Sequence, residues 1–196
     1  MRIAQALAAA ALVGACVVAA AAERPKSLGD RVVAFCKEHK GKRVGNGECN
    51  TLAIAALSAA GAETHGPFEA NRNADEPRDN FSWGERIFTV EREGTNLKST
   101  GQFRDIQPGD IIEYRDVELA GYNGRGPYTA QARHHTAIVF GVDKEDFVLK
   151  LYHQNSNGRK AVITGRLRVA DLQHGRVSIY HPIPRAQRQP NDPLER

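Results

Sequence analysis

Gly45-Asn46-Gly47-Glu48-Cys49-Asn50-Thr51-Leu52-Ala53-Ile54-Ala55-Ala56-Leu57 is the stretch from which the rest of this chain is read. A loop punctuated by glycine runs into an Ala- and Leu-rich segment, with a cysteine at the junction. The segment from Asn50 to Ala60, closed by Gly61, predicts a helix that is apolar on most sides and therefore buried. Cys49 then stands at a helix N-terminus. Unpaired amides there carry partial positive charge, which lowers a thiol's pKa. The same amides can hold an oxyanion. Gly45 and Gly47 let the chain turn sharply and leave room for a substrate.

Upstream, Ser27 to His39 has helical character. Ser27 is a cap, Asp30 falls in the first turn, and Leu28, Val32, Phe35 and Cys36 recur near helical spacing. Ile3 to Val18 is a largely apolar run, interrupted by Gln5, behind Met1-Arg2, and Ala19-Ala20-Ala21-Ala22 offers small residues for cleavage. Residues 1–22 therefore read as a signal peptide of an exported protein, periplasmic or extracellular. Val13-Gly14-Ala15-Cys16 also matches a lipoprotein box, with Cys16 as the anchor. No second apolar stretch is long enough for an integral membrane span. With 196 residues in all, one domain over residues 23–184 and a Pro-, Gln- and Arg-rich flexible tail over 185–196 are expected.

Downstream, Glu63 to Thr100 is polar, and one short strand near Arg86 to Val90 is expected in it. Ile106-Gln107-Pro108-Gly109-Asp110 is a turn into the strand Ile111-Ile112-Glu113-Tyr114. Gly121 to Ala132 reads as a glycine-rich loop. Thr136 to Val142, Phe147 to His153, Lys160 to Thr164 and Arg176 to Tyr180 read as strands. Helices first and strands second give an α+β layout, with N-terminal helices packed on an antiparallel sheet.

A thiol nucleophile needs a base, and the base needs an orienting group. His135 opens a strand and is the candidate base. His134 points the other way, because side chains alternate along a strand. By the same period His153 and Asn155 share a face, Gln154 turns away, and either His153 or Asn155 would orient His135. Two other readings compete. A Cys36–Cys49 disulfide would block the thiol. A metal site at Cys49, His134, His135 and His153 lacks the close ligand pairs that zinc favours. Neither a metal nor a cofactor is expected. The net charge of +4 is dispersed, with no alternation of basic and aromatic residues, so nucleic acid is not an expected partner. Paired carboxylates for glycoside chemistry have no candidates.

The segments Gly47-Glu48-Cys49, Ile106 to Ile112, His135-Thr136-Ala137-Ile138-Val139 and His153-Gln154-Asn155-Ser156-Asn157-Gly158 resemble the CHAP and NlpC/P60 cysteine hydrolases, which are papain-like. The resemblance covers roughly residues 27 to 182. It implies that Cys49 is the nucleophile, His135 the base, and His153 and Asn155 the polar residues on the next strand. It implies a peptide or amide bond of cell-wall peptidoglycan as substrate, acted on by a monomer without cofactor. Glu48 stands where CHAP proteins commonly carry Gln, beside the thiol.

Overall fold

The computed structural model describes residues 26–64, 82–122 and 124–185. The leader segment, Cys16 and the tail beyond Arg185 lie outside them. Helix α1 spans Leu28–Glu38. Ser27 Oγ accepts the Asp30 amide, and the Asp30 carboxylate accepts the Ser27 amide, a reciprocal cap. Helix α2 spans Cys49–Ala60 and stops at Gly61 in the left-handed region.

Seven strands follow: β1 (Glu85–Glu93), β2 (Asn96–Gly101), β3 (Ile111–Tyr122), β4 (Pro127–Asp143), β5 (Val148–His153), β6 (Ile163–Arg168) and β7 (Leu172–His181). They form one sheet of order β2-β1-β7-β3-β4-β5-β6, and every neighbouring pair is antiparallel. The α+β layout holds. Three expectations are corrected. Residues 121–132 are not a loop, because β3 and β4 continue as a long hairpin whose ladder runs to Tyr122↔Pro127. The polar stretch after Trp83 supplies two strands, not one. The strand expected at Lys160 to Thr164 instead begins at Ile163, where it pairs with His153.

The register fixes which residues share a face, since directly paired residues of antiparallel strands point the same way. Ile111 pairs with both Ile138 and Tyr180, and Ile138 pairs with Tyr152. These four share one apolar cluster with Val32 and Cys36 of α1, Leu52, Ala53, Ala56 and Leu57 of α2, and Trp83. Ile112 pairs with Ala137 and Ile179, and Val139 with Leu151. These belong to a second cluster, without helix residues, completed by Phe88, Phe103, Leu149, Leu167 and Val177. One side of the sheet thus shares its core with the helices, and the other side has a core of its own. Cys36 is fully buried in the helix-side cluster, and burial pushes its thiol up to about 12. Cys36 and Cys49 are both free, so the disulfide does not form.

Candidate active site

The loop before α2 is held from several sides. Gly45 and Gly47 take φ of 56° and 84°, which suits residues without a Cβ. Asn46 Oδ1 accepts the Glu48 amide at 2.9 Å and the Thr51 hydroxyl at 2.7 Å, bracing the turn into α2, whose N-cap residue Glu48 makes no side-chain cap. Gln154 is fully buried just beyond β5. Its Nε2 donates to the Val44 carbonyl at 3.0 Å and the Glu48 carbonyl at 2.7 Å, and its Oε1 accepts the Val44 amide at 3.2 Å. One side chain therefore fastens the residue before Cys49 to the end of the sheet. Sequence reasoning turned Gln154 away from the site and gave it no role. A buried primary amide flanked by His153 and Asn155 was the only signal for it.

The Glu48 carboxylate accepts a hydrogen bond from Asn155 Nδ2 and pairs with Lys160. The negative charge beside the thiol is therefore matched by an ammonium. Lys160 was not a sequence candidate. Asn155 itself sits at φ 57°, a left-handed conformation that Asn tolerates better than most residues. This turn carries its amide across to the loop preceding α2.

His135 and His153 come together. His135 Nε2 lies 3.0 Å from His153 Nδ1, with ring planes near perpendicular. Tyr114, paired with His135 across β3 and β4, lies against its ring at a centroid distance of 5.8 Å. Burial lowers the His135 pKa to about 4, helped by the charges of His153 and His134, and burial lowers that of His153 as well. Both rings are neutral at pH 7, and one must donate to the other. The contact occupies His135 Nε2, so Nδ1 is the ring nitrogen left for another partner. There is no side chain at Gly165 on β6 to crowd His153: a Cβ there would lie 2.7 Å from His153 Nε2.

His134, one residue earlier, faces the helix side and pairs with Glu113. Glu113 Oε2 also accepts from Trp83 Nε1 at 3.0 Å and Thr136 Oγ1 at 2.9 Å. Glu113 is almost completely buried, and burial raises its pKa against the lowering effect of these partners. His134, His135, His153 and Asn155 line a cavity of about 320 Å³ together with Tyr114, Tyr128 and Arg166. Cys49 is partly buried at the start of α2 and is not one of the residues lining that cavity. Among the described residues no hydrogen bond joins its sulfur to either histidine. Its link to the pair runs through Glu48 and Asn155. No group of three or more potential metal ligands occurs among the described residues, and no helix there is long and apolar enough to cross a membrane.

The family model of the AIM3/BBC1 cysteine proteinase-fold domain matches residues 20–191. No curated protein matches. Among solved structures, Ly7917 aligns at 21% identity over 79% of this chain and 62% of its own, with a TM-score of 0.39. A second structure of Ly7917, with the hydrolyzing product of MDP, aligns equally. This chain spans less than two thirds of Ly7917, and at that TM-score the likeness carries no argument about this protein.

Proposed function

Because this chain belongs to the AIM3/BBC1 cysteine proteinase-fold family, we propose that it is a cysteine hydrolase of amide bonds. The observation that carries the proposal is the His135–His153 contact at 3.0 Å, set beside a cavity whose Asn155 bonds the residue before Cys49. His135, through Nδ1, takes the proton of the Cys49 thiol. The thiolate attacks the amide carbonyl, and the amide of Cys49 at the start of α2 stabilises the oxyanion. His135 returns the proton to the leaving amine, and water then cleaves the thioester by the same route. His153 fixes the His135 ring, and Asn155 holds the Glu48 carboxylate aside. Cys49 opens α2 on the helix side and His135 faces the other side of the sheet, so this mechanism requires the two to approach around the sheet end that Gln154 and Asn155 tie to the loop before α2. The resemblance to CHAP and NlpC/P60 proteins points to the peptide or amide bonds of peptidoglycan, a leader over residues 1–22 and an exported enzyme.

The absence of a hydrogen bond between Cys49 and His135 among the described residues favours a second reading, a binding module on the same fold. One experiment separates the two: the pH dependence of Cys49 alkylation by iodoacetamide, in wild type and His135→Ala. The hydrolase predicts an apparent thiol pKa well below the ordinary value of about 8.5, and slower alkylation near neutral pH in the variant. A slow thiol of ordinary pKa, unchanged by the substitution, leaves the binding module.

A further inference from the structure

The cavity on the His135 side is electrostatically one-sided. None of the residues lining it is Asp or Glu. The carboxylates nearby are already engaged. Asp171 accepts the Tyr128 hydroxyl at 2.7 Å, Glu113 is held by His134, Trp83 and Thr136, and Glu48 is paired with Lys160. His135 and His153 are neutral at pH 7. The permanent cation in the lining is Arg166, which makes no ion pair among the described residues. Arg166 and Arg168 both act electrostatically on the Tyr128 hydroxyl, which lines the same cavity as Arg166. Tyr128 already donates its proton to Asp171 and cannot also donate it to a ligand. A guanidinium presents a fork of donors that matches a carboxylate with two parallel hydrogen bonds.

We propose that this cavity binds a carboxylate of the ligand on Arg166, and that the amide presented to His135 therefore belongs to an acidic peptide or to one with a free C-terminus nearby. The orientation of the amide rests on the hydrolase reading, whereas the carboxylate site does not. Arg166 is exposed, so its replacement leaves the core intact.

The test is calorimetric binding of N-acetyl-alanyl-alanine and of its C-terminal amide to the Cys49→Ala chain, alone and with Arg166→Gln. The expected result is about tenfold tighter binding of the acid than of the amide, with the preference falling below twofold in Arg166→Gln and weakening as salt is raised. Equal affinities, no binding of either peptide, or a preference that survives Arg166→Gln would overturn the proposal. Alkylation of the wild-type thiol decides the hydrolase reading separately. An inert Cys49 with an intact acid preference sinks catalysis and keeps the carboxylate site, and a reactive Cys49 without that preference does the reverse.

Discussion

His134 meets the carboxylate of Glu113, whereas His135, the next residue, meets the imidazole of His153. The first pair sits on the side that shares its core with the helices. It is anchored by Trp83 and Thr136, although His134 also reaches the edge of the cavity. The second pair sits beside a cavity on the other side, where neither ring carries charge at neutral pH and a proton can pass between them. A carboxylate partner spends a histidine on architecture. An imidazole partner leaves it unprotonated at neutral pH. The alternation of a strand is enough to give adjacent, chemically identical side chains different work.

The largest effect expected from breaking this contrast is structural. Glu113→Ala leaves Trp83 Nε1, Thr136 Oγ1 and His134 without their shared acceptor, and should cost about 3 kcal/mol of stability, read by urea denaturation. On the other face, His135→Ala should leave stability nearly unchanged and reduce amide hydrolysis about a hundredfold, read as kcat/KM on a peptide amide. If both substitutions acted alike, the division of labour between the faces would be lost. Gly165→Ala sharpens the comparison. Its Cβ would press on His153, turning the ring from His135 and lowering the rate about tenfold with little change in melting temperature.

The last test is the pH dependence of stability. His135 has a folded pKa near 4 against an ordinary 6.5, so between those values the unfolded chain binds more protons and stability falls as pH drops. His153 shifts the same way. Asp110, raised by burial from 3.8 to about 6 beside His181, works in the opposite sense: the folded state holds the extra proton, and its contribution to stability improves as pH falls through 6. His135→Gln should therefore flatten the acid limb by up to about 1.4 kcal/mol per pH unit. Asp110→Asn should steepen it. Denaturation midpoints measured from pH 4 to 7 decide both.

The helices were legible because their ends are written locally, in Ser27 with Asp30 and in Gly61. The shared face of His135 and His153 was legible from the period of two. The length of the β3–β4 hairpin was not. Its outer half carries glycine and mixed polar residues, and it is a strand only because each residue finds a backbone partner across the hairpin. Strand β2 is hidden for the same reason, being exposed along its whole length and held by pairing with β1. Glu113 escaped notice as part of a short apolar strand. A carboxylate between Ile112 and Tyr114 was nonetheless a signal, since a charge buried there needs partners. Which partners it has is set by register, which a single sequence does not spell out.

The sheet order has a consequence for assembly in time. Among the described residues β7 is the last strand in sequence, yet it lies inside the sheet, between β1 and β3. Until it docks, the β1–β2 hairpin and the β3–β6 meander have no ladder between them. Each exposes an edge and half of a core to whatever is nearby. Closure depends on contacts between distant parts of the chain, which form slowly because a large loop must close first. A ribosome that has not yet released Leu172 to His181 therefore holds two unfinished sheets, which join only when that strand is free to move.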